Sequence, residues 1–486
     1  MVTTKTHAVL LASPGMGHLF PTVELGKRLT THHGFDVTIF VVIATTDSSD
    51  ATKSLLQQTS NINGFNIIVT PPVDVSDKID PSDSPLSARI TLTMIESLPF
   101  IRSKILSMKF PPSVLIVDIF GTMALPMARD LHMSTYVFIT SNAWFSAVTM
   151  YLPFITNEVF SMHVNDHKPL LIPGCEPVRF EDTLFHSPSG PTHDGFVSVA
   201  KEILSADGIL MNTWQDLEPG ATKAVIDNEI LGRFAKGPVY PVGPIVRTVE
   251  PEEKSESENE NLILSWLDRQ PAESVIFLSF GSGGTLSEVQ TRELAYGLEL
   301  SQQRFVWVVR RPSEDDASAA FFEAGNGGGG SAVLDYLPEG FLSRTKEVGL
   351  CTPTWAPQTK ILKHPATGGF VTHCGWNSVL ESILRGVPMV AWPLYAEQKM
   401  NATLLSDELG VAVRATATEG GVILREHIAD VIRRVMVDEE GIAMRVKVKE
   451  YKVSGEKALS MIGSSHEWLC QMAKECQVHE TLARNA

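Results

Sequence analysis

Short, unbroken runs of Val, Ile and Leu, each closed by a Gly- or Pro-bearing turn and followed by helical spacing, recur along the chain. This alternation constrains the fold more than any other feature. His7–Ala12 (HAVLLA) is predicted as a buried strand, Ser13–Gly17 as the turn after it and Leu19–Leu29 as a helix. Phe35–Ile43, Val114–Ile119 and Tyr136–Thr140 are predicted as further strands. Continuous apolar strands, rather than alternating ones, are what a parallel sheet covered on both faces by helices requires. The pattern then starts afresh. Ser274–Phe280 reads as a strand, Gly281–Thr285 as a glycine turn, Leu286–Leu300 as a helix, and Phe305–Val309 and Met389–Trp392 as strands. Two such sets suit a chain of 486 residues, because one ordinary core takes roughly 150.

Between the sets lies 241–260, ending in EPEEKSESENE, a stretch too charged to bury itself. The expected layout is an N-terminal domain of residues 1–243, an exposed linker at 244–260, a second domain at 261–460 and a C-terminal helical segment at 461–486. A return of that last segment onto the first domain is carried as an option. Residues 313–331, with EDD and then GNGGGG, are expected to form a surface insertion. Two doubly wound domains would turn the C-terminal ends of their strands toward a shared cleft, where ligands bind in such sheets.

Composition removes several classes of function. A formal charge of −16 argues against a nucleic-acid partner, which needs a basic face. The five cysteines form no C-x-x-C pair and read as free thiols of a reducing compartment. The apolar run Ala8–Ala12 is too short for a signal-peptide core. No later run reaches the roughly eighteen apolar residues of a membrane span, so a cytoplasmic protein without a transmembrane segment is expected.

The first glycine turn is SPGMGH, Ser13–His18. A dinucleotide fingerprint would need Gly or Ala where Phe20 stands, and an acidic residue where the second strand instead runs into Ile43-Ala44-Thr45-Thr46. A phosphate P-loop is excluded because no Gly-Lys-Ser/Thr follows. The turn places His18 at the mouth of the first strand. On its own it reads as a helix-capping histidine; with an orienting partner it reads as a base. Asp118, finishing the apolar run VLIVD, lies at the same sheet edge and is either a cap or that partner. The second glycine turn, FGSGGT (Phe280–Thr285), presents backbone N–H groups and the Ser282 hydroxyl to an anion, or simply joins strand to helix.

The densest signal is Trp355–Gln398. Within it GGFVT is a strand, HCGWNS a turn and VLESILR a helix. Gly375, Asn377 and Ser378 at that helix start, with His373, offer donors to a diphosphate. Glu381, one turn in, suits two ribose hydroxyls. Trp355 suits a planar base, and Glu397 and Gln398 suit sugar hydroxyls. His373–Cys374 is not a metal site, since no further Cys or His stands at ligand spacing.

This segment resembles the signature box of plant secondary-product UDP-glycosyltransferases along its whole length. PGMGH, DIFGT and LYAEQKMNA are similar to the clade that glucosylates hydroquinone and other simple phenols. The resemblance implies an α/β chain of GT-B architecture, two facing Rossmann-like domains around a cleft. It implies that Trp355, Ala356 and Gln358 receive uracil and Glu381 the ribose, and that Ser282, His373, Asn377 and Ser378 hold the diphosphate. Trp376, Glu397 and Gln398 would face the sugar, with Gln at the last position favouring glucose. His18 and Asp118 match the catalytic dyad. Gly17, Phe120, Trp144, Gly284 and Ala396 are expected along the acceptor path. The expected reaction is an inverting transfer from UDP-glucose to a small phenolic or flavonoid-like acceptor. No metal is expected, as no Asp-x-Asp pair stands at a predicted strand end. A monomer is expected.

Phe100, Phe120, Trp144, Phe145 and Phe185 are candidates for an aromatic pocket, with core packing the competing reading of each. Two further readings stay open. In one, an electron-rich ring carbon attacks instead of oxygen, admitted by the bare turn at Gly283–Gly284. In the other, the chain binds a sugar nucleotide without turnover.

Overall fold

A computed structural model describes residues 5–44, 62–75, 77–79, 85–185, 187, 191–247, 258–314, 317–318, 330–353 and 355–485. The chain forms two compact units, one of residues 1–246 with 455–486 and the other of residues 247–454.

The first unit is built on a seven-stranded, fully parallel sheet. Its strands are β1 (His7–Ala12), β2 (Asp36–Val41), β3 (Phe65–Val69), β4 (Val114–Val117), β5 (Ser134–Ile139), β6 (Gly208–Met211) and β7 (Val239–Pro241), in the order β3-β2-β1-β4-β5-β6-β7. The second has six parallel strands: β8 (Val275–Ser279), β9 (Arg304–Val308), β10 (Gly349–Thr352), β11 (Thr367–Thr372), β12 (Met389–Ala391) and β13 (Ala412–Arg414), ordered β10-β9-β8-β11-β12-β13. Each order reverses once, between β1 and β4 and between β8 and β11. Such reversals are where open α/β sheets bind ligands, outside the carboxyl ends of the strands.

The predicted strands are present, His7–Ala12 with the same bounds, Tyr136–Thr140 as the longer Ser134–Ile139 and others shortened. Phe35–Ile43 narrows to Asp36–Val41, and Val114–Ile119 stops before Asp118. The first helix starts earlier than its apolar spacing indicated, at Met16, and carries Pro21 in its second turn, where the ring removes one i→i−4 hydrogen bond. β3, β6, β7, β10 and β13 were not read from the sequence. They have three to five residues each and include Asn66, Gly208, Pro241 and Gly349. Of the stretch 244–260, residues 248–257 lie outside the described residues, and Glu258 opens the helix Glu258–Leu267. Residues 315–316 and 319–329 of the 313–331 stretch also lie outside them, while Gly330–Tyr336 is a 3-10 helix.

The C-terminal helix Ser464–Asn485 belongs to the first unit. Leu469, Met472, Ala473 and Cys476 enter the core beside Tyr136, Phe138 and Tyr240. Thr6 donates to Glu480 at 2.9 Å, and the Tyr240 hydroxyl donates to Glu475. Among the described residues no helix is long and apolar enough to cross a membrane.

In the second unit the helix Glu288–Ser301 packs closely on Arg425–Met436. Gln290 fixes their register through both ends of its amide, donating to the Ile423 carbonyl at 3.0 Å and accepting from its N–H at 2.8 Å. At Gly297 an added Cβ would lie 2.6 Å from Ile428 side-chain carbons. Gly→Ala in a helix interior ordinarily gains roughly 1 kcal/mol, but overpacking a filled core costs roughly 1–3 kcal/mol. Gly297→Ala is therefore expected to lower the melting temperature. A rise in thermal unfolding would show that the two helices separate at little cost.

Candidate active site

At the reversal in the first sheet, the loops leaving β1 and β4 start side by side. The register pairs Leu11 with Val117, which brings Ser13 beside Asp118. Gly15 turns the chain at φ 104°, a conformation open to glycine, and His18 follows in the first turn of the helix Met16–His32. Asp118 is 1% exposed and caps the 3-10 helix Ile119–Ala124. Its Oδ1 accepts from the N–H groups of Phe120 at 3.0 Å and Gly121 at 3.1 Å, and from the Ser13 hydroxyl at 2.5 Å. Oδ2 accepts from the Ser13 N–H at 3.0 Å. Burial works against the charged carboxylate, but the neighbouring His18 and the Ser13 hydrogen bonds outweigh it, and the carboxyl is held below its usual range.

His18 Nδ1 lies 3.4 Å from Asp118 Oδ2, within ion-pair reach and longer than an aligned hydrogen bond. The Phe120 ring meets the imidazole edge-on, centroids 5.1 Å apart. Asp118 is thus both a cap and the partner of His18. Ser13, quoted in the turn but given no role from sequence, is the group that anchors it. The missing signal was the pairing of β1 with β4, which only the sheet supplies.

At the reversal in the second sheet, β8 runs into the glycine turn and β11 into His373. The helix Trp376–Arg385 starts there with Gly375 as its N-cap. The His373 ring is wedged against two glycines. A Cβ on Gly281, at φ 74°, would stand 2.5 Å from Cε1 and Nε2, and one on Gly375 would collide with Nε2. Burial first, and the Arg310 charge second, push the His373 pKa down to about 4, so the ring is neutral at pH 7. Arg310 in turn donates to the Ser282 carbonyl at 2.9 Å. Cys374 sits at φ 65°, an uncommon conformation for a side-chain-bearing residue, and Asn401 Nδ2 holds its carbonyl at 2.9 Å. Ala396, exposed in the loop after β12, is likewise at φ 53°.

Gln358 ties this helix to the Trp355 loop. Its amide donates to Glu381 Oε2 at 2.7 Å and to Ser378 Oγ at 3.1 Å. Trp355 is 47% exposed, a large free aromatic face, while Ala356 beside it is buried. Ser378, Glu381 and Trp376 are buried along the start of the helix, with Asn377 less so. Gln398 is buried, and the N–H groups of Leu394 and Tyr395 grip its Oε1 at 2.9 and 3.0 Å, leaving the amide NH2 as the end that donates. Glu397 caps the helix Gln398–Thr403.

The residues expected along the acceptor path divide. Gly17 borders open space, with nothing within 4 Å of a Cβ built on it, and Phe120 is half-buried beside His18. Trp144 is 2% exposed, its indole N–H donating to the Glu176 carbonyl at 3.0 Å, and Phe145 and Phe185 are buried too. These three pack as core. Phe100 is half-buried under the Lys104 ammonium, 5.5 Å from its ring centre. Gly284 does not open space as its lack of a side chain had indicated. A Cβ there would strike the Phe280 carbonyl and lie 2.9 Å from Leu394 Cδ1, so the turn itself fills that volume.

Two Rossmann-like units, each with loops gathered at its sheet reversal, define an α/β chain of the GT-B class, a glycosyltransferase architecture. Residues 253–444 match the family model described as "UDP-glucoronosyl and UDP-glucosyl transferase". The chain is 48% identical to UDP-glycosyltransferase 72E1 of Arabidopsis thaliana over 98% of its own length and 97% of that protein. It is 43% identical to hydroquinone glucosyltransferase of Rauvolfia serpentina over 96% of its length and 97% of that protein. The crystal structure of TcCGT1 in complex with UDP superimposes with a TM-score of 0.89 at 42% identity, covering 98% of this chain and 100% of that one. The chain therefore belongs to the plant UDP-glycosyltransferase family, and it is an enzyme of that family.

Glu381 provides a test of the site's electrostatics. Burial raises its carboxyl pKa, opposed by Arg247, Gln358 and Arg385. A group whose folded pKa is raised stabilises fully below its unfolded value and loses that contribution as the pH rises through the folded one. At pH 7 the buried carboxylate is therefore a net cost. Glu381→Gln is expected to raise the melting temperature of the ligand-free protein at pH 7, with the gain shrinking as the pH falls toward the ordinary value of about 4.5. A variant that melts lower at pH 7 would contradict this.

Proposed function

We propose that the protein is an inverting glucosyltransferase that moves glucose from UDP-glucose to a hydroxyl of a small phenolic or flavonoid-like plant metabolite. The observation that carries this reading is the His18–Asp118 pair at the first sheet reversal, its carboxylate fixed by Ser13 and two backbone N–H groups. With Nδ1 turned to Asp118, the imidazole keeps the Nε2 lone pair for an acceptor proton. As the acceptor oxygen attacks the anomeric carbon, His18 takes its proton and Asp118 stabilises the imidazolium. The bond from that carbon to the diphosphate oxygen breaks, and UDP leaves with the electron pair.

For the donor, Trp355 would stack on uracil with Ala356 and Gln358 at its edge, and Glu381 would accept from the ribose hydroxyls. Ser282, His373, Gly375, Asn377 and Ser378 would meet the diphosphate, and Trp376, Glu397 and Gln398 the sugar. The start of the helix Trp376–Arg385 meets the charge growing on the leaving group with aligned N–H dipoles. A neutral His373 adds a donor rather than a cation. This division of labour asks no metal ion of the transfer step. The hydroquinone glucosyltransferase relative supports a phenol as acceptor. Oxygen transfer is favoured over carbon transfer because the room expected at Gly284 is filled.

His18→Ala should reduce transfer to a weakly acidic phenol by about 10²-fold or more while leaving UDP affinity unchanged, read by product mass and by calorimetry. A variant at full rate would remove the base assignment. The product should be cleaved by β-glucosidase and hot acid, since a carbon-linked glucoside survives both.

Ser13→Ala removes one hydrogen bond to the Asp118 carboxylate, which leaves the carboxylate a stronger partner for the protonated His18. The acid limb of the kcat/KM profile should shift to higher pH, with kcat/KM at pH 7 down about tenfold, the usual worth of a hydrogen bond to a charged group. An unmoved limb would show that Ser13 does not position the dyad.

A further inference from the structure

Away from both sheet reversals, the first unit brings together three side chains that share no sequence motif. His33 closes the helix Met16–His32 as its C-cap, and His466 and Cys470 stand four residues apart on one face of the helix Ser464–Asn485. Cys470 Sγ lies 3.6 Å from His33 Nδ1 and 3.4 Å from His466 Nε2. One ligand atom from each of the three lies within 4.8 Å of the other two, and among the described residues this is the group of His, Cys, Asp and Glu that meets such a spacing. We propose that His33, His466 and Cys470 bind a zinc-class divalent cation, which fastens the C-terminal helix to the end of the first helix.

The spacing fits the chemistry. Zinc binds thiolate at about 2.3 Å and imidazole at about 2.0–2.1 Å in a tetrahedron, which puts sulfur and nitrogen about 3.5 Å apart. Both observed sulfur–nitrogen separations lie within about 0.1 Å of that value. The donor set, two imidazoles and one thiolate, is borderline-soft and suits zinc rather than magnesium or calcium.

The alternative is a sulfur that only exchanges weak hydrogen bonds with two rings. That leaves His33 poorly compensated. The ring is 8% exposed and lies against the His466 ring, centroids 4.9 Å apart; among the described residues its Nε2 is buried with no hydrogen-bond partner, and the ring's hydrogen-bonding approach is the 3.6 Å contact of Nδ1 to sulfur. Burying an imidazole on so little is costly, and a metal bond at Nδ1 would replace that weak sulfur contact with a full bond. His466 is 7% exposed and Cys470 is half-buried, so the thiol side leaves a path by which an ion enters. Three protein ligands leave a fourth position for water.

The surrounding charges are mixed. Arg28 and His32 act on His33 from its own helix, and Glu24 offsets Arg28, which also donates to the Leu459 carbonyl at 3.4 Å. The thiolate is the anionic ligand, so its loss should matter most. The cluster lies beside the stretch of the C-terminal helix that sends Leu469, Met472, Ala473 and Cys476 into the core. An ion there would fix that docking, with no part in sugar transfer.

The test uses the full-length protein, stripped with a chelator and dialysed against micromolar zinc. One equivalent of zinc is expected to stay bound and to raise the melting temperature. Cys470→Ser and His466→Gln should each weaken zinc retention about tenfold or more and lose the thermal shift. Cobalt loaded into the unaltered protein should give a near-ultraviolet thiolate-to-metal band, a readout that depends on no variant. Equal zinc retention by the protein and both variants, or cobalt bound without that band, would overturn the proposal.

Discussion

A parallel sheet whose strand order reverses must send its crossovers over opposite faces on the two sides of the reversal, and the loops leaving the two central strands part from one another there. The His18–Asp118 pair and the proposed diphosphate turn both depend on that constraint. In the first unit the reversal falls between β1 and β4, and the register Leu11–Val117 sets Ser13 against Asp118. In the second it falls between β8 and β11, and the glycine turn comes to lie against His373. The loops are short and the strands behind them fully buried. The relative positions of His18, Asp118 and Ser13 are therefore set by the core of the sheet rather than by the loops.

That rigidity is accompanied by local backbone cost. Gly15 and Gly281 take left-handed conformations at the two glycine turns, and Cys374 and Ala396 do so without being glycine. Such conformations persist only where surrounding contacts over-determine them. At Cys374 the contact is visible: Asn401 grips its carbonyl. The result is that His373 is held edge to edge with Gly281 and Gly375, where no other residue type leaves room for the ring.

Much of this was legible in the sequence, and the rest was hidden for physical reasons. The central strands β1, β4 and β8 are buried on both faces, so their residues are almost continuously apolar and readable. The edge and near-edge strands Phe65–Val69, Val239–Pro241 and Ala412–Arg414 are short and tolerate Asn, Pro and Arg, so no pattern announces them. The partnership of His18 with Asp118 could be guessed because both end strands. Ser13 could not, because its hydrogen bonds reach a residue 105 positions away. Composition could not separate Phe120, half-buried beside His18, from Trp144, sealed in the interior, since both are aromatic residues following a strand. Gly284 misled for a related reason. An absent side chain marks either room for a ligand or a close approach of the chain to itself, and here it is the latter.

The charge balance of the proposed donor site follows from the same burial. A chain of net charge −16 is expected to take up a dianionic diphosphate, yet the group closest to the helix start, His373, is neutral, and the carboxylate of Glu381 lies one turn beyond. Recognition would then rest on oriented N–H groups, with the Arg310 charge set behind His373 and the Ser282 carbonyl. Dipoles aimed at the bridging oxygen act most strongly when charge gathers there, at the moment the sugar leaves. A site built this way would favour the transition state over the bound donor.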